Sequence, residues 1–213
     1  MNNLRITHTE QQDNRYDLFN VHFYTDTIKT IVTSDPDIIT NWISETLTTN
    51  RHVIAGLDVE WRPNFHRNQQ NPVSLLQICV DRRCLIIQLL CCQSFPESLV
   101  NFLGNRECVF VGVGIESDVE KLLEDYEISV GNVVDLRAKA ADAYEMRNLR
   151  NAGLKQLCNV VLGKQIVKPR SVTMGRWDCE WLSLGQIQYA CLDAFVSFEI
   201  ARSLNVNVAA ASG

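Results

Sequence analysis

Four acids and a tyrosine stand out by type and spacing: Asp58 with Glu60, Asp118, and Tyr189 with Asp193. Asp58 and Glu60 close the apolar segment His52-Val-Ile-Ala-Gly-Leu-Asp-Val-Glu-Trp61. Side chains alternate along a strand, so both carboxylates share one face while Leu57 and Val59 take the other. Two like charges side by side repel. A divalent cation relieves that repulsion, because hard cations prefer carboxylate oxygen; the plainer reading is a polar strand end. Asp118 follows Phe110-Val-Gly-Val-Gly-Ile-Glu-Ser and falls in the first turn of a predicted helix, where the helix dipole alone would favour an acid. Tyr189 and Asp193, four residues apart in Ile187-Gln-Tyr-Ala-Cys-Leu-Asp193, share one face of a helix. An acid in so apolar a helix needs a cation or an arginine as partner.

The elements that must position these groups follow from periodicity and punctuation. Phe19–Tyr24 and Ile28–Thr33 alternate about Thr25-Asp26-Thr27 and predict a hairpin. Ser34-Asp35-Pro36 offers a cap and an early proline for a helix over Pro36–Thr48, with Ile38, Ile39, Trp42, Ile43 and Leu47 on its apolar face. Strands are predicted at His52–Val59, Val73–Val80, Cys84–Leu90, Cys108–Val113 and Asn132–Leu136. Helices are predicted at Pro96–Leu103, Glu116–Asp125, Leu154–Leu162 and Ser183–Leu204. A three-strand antiparallel meander followed by alternating strands and helices makes an α/β layered domain with a mixed sheet flanked by helices. The expected organisation is a polar arm over residues 1–18, one domain over 19–205 and a loose tail over 206–213.

The three acid-bearing segments, in this order, are similar to those of DnaQ-type 3′-5′ exonucleases of the ribonuclease H-like superfamily, in the subclass with tyrosine in its third motif. Within it the chain resembles the Werner-syndrome-type exonuclease domains, the plant stand-alone members above all. The matching segments are Gly56-Leu-Asp-Val-Glu-Trp61, Gly112-Val-Gly-Ile-Glu-Ser-Asp118, Gly153-Leu-Lys-Gln-Leu157, Leu162-Gly-Lys-Gln-Ile-Val-Lys168 and Gln188-Tyr-Ala-Cys-Leu-Asp-Ala194. The resemblance implies a nuclease working on a DNA or RNA 3′ end and releasing nucleoside 5′-monophosphates. It implies two divalent cations, magnesium or manganese: Asp58, Glu60 and Asp193 would hold one, and Asp58 with Asp118 the other. Tyr189 would align the attacking water, and Glu60 would help orient that water or the terminal hydroxyl. The expected nucleic-acid contacts are Leu57, Val59, Trp61, Lys155, Lys164, Lys168, Arg170 and Arg176. Trp61 suits either stacking on a terminal base or packing in the core. The chain departs from the family pattern at Gly175-Arg176-Trp177, where relatives carry Ser-Asn-Trp, and at Glu120, where animal members carry an aromatic residue. A non-catalytic nucleic-acid-binding or oligomeric scaffold on the same fold is the alternative.

Composition sets the outer bounds. The 213 residues carry a net charge of −5, yet nine basic residues and only two acidic ones lie between Arg137 and Arg176, which suggests a basic face for a polyanion. The polar opening segment lacks the apolar core of a secretory signal, and no apolar run is long enough to span a bilayer. Eight cysteines without a C-x-x-C pair suggest reduced, buried thiols rather than a zinc site, and the expected location is nucleus or cytoplasm. No phosphate-loop motif is present. A helicase or repair partner would therefore be a separate chain. A homo-oligomer is compatible with the sequence, and His66 is expected to be a solvent-exposed loop residue.

Overall fold

The computed structural model describes residues 5–10, 12–50, 52–64, 66 and 69–207. In chain order the elements are β1 (Arg5–Thr9), β2 (Tyr16–Phe23), β3 (Asp26–Thr33), α1 (Pro36–Thr49), β4 (Ile54–Trp61), β5 (Val73–Val80), β6 (Arg83–Gln88), α2 (Glu97–Gly104), β7 (Val109–Gly112), α3 (Ile115–Tyr126), β8 (Val133–Asp135), α4 (Leu136–Ala143), α5 (Leu154–Leu162), α6 (Arg170–Thr173) and α7 (Leu184–Ser203). The eight strands form one sheet in the order β1-β2-β3-β6-β5-β4-β7-β8. The hairpin and the meander β4-β5-β6 are antiparallel, while β3 with β6, β4 with β7 and β7 with β8 run parallel. Helices cover both faces. One core gathers around α4, α5 and α7, and the other around α1, α2 and α3.

Local chemistry explains most of the elements. Asp35 caps α1 by accepting the N–H groups of Asp37 and Ile38, each at 3.0 Å, and Pro36 fixes the first helical φ. Ser183 and Gln186 form a reciprocal capping box at the start of α7. The run Ala190–Ala201 within α7 is buried on every side, as expected for a helix threaded through a core. β5, in mid-sheet, is buried along its whole length.

The structure departs from the predicted elements in a few places. Arg5–Thr9, expected to lie in a polar arm, pairs with the outer edge of β2; a partner strand, which no local pattern reveals, supplies its hydrogen bonds. α4 has little apolar periodicity and is started by the Asp135 side chain, which accepts the Arg137 N–H at 2.8 Å. Leu47 is exposed, and Thr46 takes its place on the buried face of α1 with its hydroxyl bonded to the Trp42 carbonyl. β4 runs on through Trp61, so both acids lie inside the strand. Of the predicted loose tail, Val206 is buried and residues 208–213 lie outside the described residues.

α7 lies directly on β4. At Gly56 a Cβ atom would come within 1.9 Å of the Ala194 carbonyl oxygen and 2.9 Å of the Phe198 nitrogen. Only a residue without a side chain permits this contact, which sets Asp193 over the acid-bearing end of β4. Gly56→Ala should therefore cost about 3 kcal/mol, at the upper end of overpacking costs. Urea unfolding would measure the loss; an unchanged midpoint would show that the helix can shift without penalty.

Candidate active site

The two-residue period of β4 turns Asp58 and Glu60 toward α7, opposite Gln77 and Leu75 of β5. The register shifts between Glu60 and Trp61. Asp193 descends from α7, and the three carboxylates of Asp58, Glu60 and Asp193 each offer an oxygen within 4.8 Å of the others. Tyr189 stands one turn earlier on α7, its ring 5.8 Å from the buried Trp177 ring. Asp118 sits in the first turn of α3, outside the three-acid cluster but near enough for its charge to act on Asp58 and Glu60.

Burial and mutual repulsion dominate the electrostatics. Burial pushes Asp58 well above the usual carboxylate range, and the charges of Asp193, Glu60 and Asp118 push it further. Burial, then the charge of Asp193, pushes Glu60 up to about 8. Asp118 is pushed up to about 7 by burial and by the charges of Asp135 and Glu116. Asp193 is raised by burial against the pull of Lys168. Burial, then the charges of Asp193, Glu60 and Asp58, also raises Tyr189, which keeps its phenolic proton. Such a set fits a hard divalent cation: every donor is oxygen, and the negative charge exceeds what one lysine balances.

That lysine is Lys168. Its Nζ donates to Asp193 Oδ2 at 2.6 Å and lies 5.0 Å from the centre of the Tyr189 ring. Burial opposes its charge, but the three clustered carboxylates outweigh burial and hold it protonated.

The remaining predicted contacts divide sharply. Leu57 and Val59 are only 1% and 4% exposed and belong to the core against α1, α2 and α3. The alternation that aims the acids at α7 aims these two side chains away from it, which leaves almost no side-chain surface for the expected contact with nucleic acid. Trp61 is half-buried against the same core, with Lys121 Nζ 5.4 Å from its ring. Lys164 is tied to Asp26 at 3.2 Å and lies over the Phe23 and Tyr24 rings. Arg176 pairs with Asp178, which also takes Arg62 at 3.1 Å. Lys155 and Arg170 are exposed and form no ion pair among the described residues. His66 is exposed.

Two supporting residues went unnoticed in the sequence. Asp135 accepts the Gly114 N–H at 3.0 Å and binds the Arg137 guanidinium, bracing the loop that leads to Asp118. Burial works against its charge, yet Arg137 holds its carboxyl below the usual range. Gln77, facing Asp58, is the other; its only signal in the sequence is one amide within the apolar run Val73–Val80.

A mixed sheet covered on both faces, with carboxylates from a central strand and a crossing helix, defines a ribonuclease H-like nuclease fold of the DnaQ type. Residues 30–209 match the 3′-5′ exonuclease domain, and the chain belongs to that family. It is similar to a 3′-5′ exonuclease of Arabidopsis thaliana, 33% identical over 160 residues that cover 75% of this chain and 55% of the relative. It is also similar to the bifunctional 3′-5′ exonuclease/ATP-dependent helicase WRN of Mus musculus, 30% identical over 152 residues, 71% of this chain and 11% of the relative. The chain thus spans about half the length of the first relative and a small part of the second. Among solved structures, Escherichia coli RNase D aligns with a TM-score of 0.69 at 17% identity over 84% of this chain and 45% of that one. The Aedes aegypti Nibbler EXO domain aligns at 0.67 and 20% identity over 82% and 86%. Both share the fold.

The raised carboxylates make stability depend on pH. The unfolded chain releases these protons near pH ~4, whereas folded Glu60 and Asp118 keep them to about 8 and about 7. Their contribution is therefore complete below pH ~4 and is lost as pH rises through those folded values. Asp26 and Asp135, held below the usual range despite burial, lose theirs at the acid end. In EDTA the urea midpoint should fall between pH ~5 and ~8, and millimolar magnesium or manganese should flatten the fall. A midpoint independent of pH over this window would contradict the arrangement.

Proposed function

We propose that the chain removes nucleotides one at a time from the 3′ end of DNA or RNA, hydrolysing the terminal phosphodiester and releasing nucleoside 5′-monophosphates. The observation that carries this reading is the convergence of Asp58, Glu60 and Asp193 oxygens within 4.8 Å, with Tyr189 one helical turn from Asp193. Asp58, Glu60 and Asp193 would hold one divalent cation, and Asp58 with Asp118 a second; magnesium and manganese suit these oxygen donors. When bound, the cations supply the positive charge that activates water and stabilises the leaving oxygen.

The chain's own groups do the rest. Tyr189, kept as a phenol, hydrogen-bonds the attacking water and sets its line of approach to phosphorus. Glu60 helps orient that water or the terminal hydroxyl. Lys168, whose ammonium pairs with Asp193, would face a non-bridging phosphate oxygen when Asp193 serves as a cation ligand. Lys155 and Arg170, exposed and without an ion pair among the described residues, suit contacts to the backbone further along the strand. The eight free thiols support a site of action in the nucleus or cytoplasm.

The test is digestion of 5′-labelled 3′-recessed DNA and single-stranded RNA by the wild type and Asp58→Ala, with magnesium, manganese or EDTA. A metal-dependent ladder of shortened products, lost in Asp58→Ala, is the expected result, and its intensity on the two substrates identifies the preferred polymer. Folded wild-type protein that binds these strands but makes no ladder would replace this reading with the non-catalytic scaffold. Lys168→Met should lower kcat about 100-fold, as removal of a single transition-state donor does, with KM changed little; single-turnover rates would check it. A change confined to KM would place Lys168 in strand binding instead.

A further inference from the structure

β5 is buried along its whole length, and at its centre stands an amide. Gln77 is 0% exposed, and neither its Nε2 nor its Oε1 has a hydrogen-bond partner among the described residues. Native proteins rarely leave such a group orphaned, because a buried polar atom that has lost water and gained nothing is costly. An apolar residue of the same length would suit a purely structural position better. The register puts Gln77 directly opposite Asp58. Opposed residues of an antiparallel pair project to the same face with Cβ atoms about 5 Å apart, within the reach of a glutamine side chain. The amide therefore lies beside the Asp58 carboxylate of the acid cluster, on the face covered by α7.

We propose that Gln77 is a positioning residue for Asp58, donating its Nε2–H to the Asp58 oxygen turned away from a bound divalent cation. The inference rests on the reading of Asp58, Glu60 and Asp193 as a cation site. A carboxylate that ligates through one oxygen keeps lone pairs on the other, and in a buried site these need a donor to fix its rotation. Outer partners of this kind commonly govern metal affinity. Ser74 provides a contrast within the same strand. Its hydroxyl is also buried and has no hydrogen-bond partner among the described residues, but it stands at the register shift, between Leu75 opposite Glu60 and Val73 opposite Trp61, and not opposite Asp58.

The experiment uses the full chain, with manganese alone as the probe. Isothermal titration gives the Mn²⁺ affinity, and urea unfolding in EDTA gives the stability of the metal-free fold, for wild type, Gln77→Met and Ser74→Ala at one pH. Gln77→Met should raise the metal-free midpoint, because an orphaned amide is removed, and weaken Mn²⁺ binding about 10- to 100-fold. Ser74→Ala should leave Mn²⁺ affinity unchanged. Mn²⁺ affinity unaltered in Gln77→Met overturns the proposal, whatever its midpoint, as does an equal loss of affinity in Ser74→Ala. Failure of the wild type to bind Mn²⁺ removes the cation site itself, a separate result that also overturns the proposal.

Discussion

The contact between the backbone of α7 and β4 at Gly56 is the constraint on which the site depends. Asp193 and the Asp58–Glu60 pair are separated by more than 130 residues of chain, and nothing local brings them together. They meet because a helix with buried Ala190, Ala194 and Ser197 settles onto a strand that has no side chain where the helix passes. The closeness of two backbones is thus converted into closeness of three carboxylates.

That closeness opposes folding. Four acids in or near one buried crevice repel each other and lose hydration, which is why Asp58, Glu60, Asp118 and Asp193 are all shifted toward their protonated forms. The protein offsets part of the repulsion with Lys168, bound to Asp193 and lying over the Tyr189 ring. The rest of the fold carries the expense through two cores, one on each side of the sheet. Strain of this electrostatic kind is concentrated where a cation would release it, so affinity for a cation and lower stability without it would have one origin.

The basic stretch shows how tertiary partners revise a reading of charge. Of its nine basic residues, Arg137, Arg150, Lys164, Lys168 and Arg176 form ion pairs with acids, four of them with acids outside the stretch, whether close in sequence or far from it. The surplus available to a polyanion is accordingly smaller than the sequence suggests, and it rests on Lys139, Arg147, Lys155 and Arg170.

Much of the architecture was legible beforehand because its signals are local. Asp35-Pro36 announces α1, the alternating residues about Asp26 announce the hairpin, and the two-residue period of β4 dictates that Asp58 and Glu60 share a face. The same period already implied that Leu57 and Val59 point elsewhere. Only the covering of both sheet faces by helices decided that elsewhere was a core rather than a surface. Hidden from the sequence were β1, which needs the edge of β2, the ion-pair partners of Lys164 and Lys168, and the placement of Gln77 opposite Asp58, all of which depend on other elements. By itself the sequence determined the identity and order of the acids and the faces they occupy, because helix and strand periods are properties of the backbone. The tertiary structure alone decided their distances, burial and neutralisation, because these depend on which segments, remote along the chain, pack against one another.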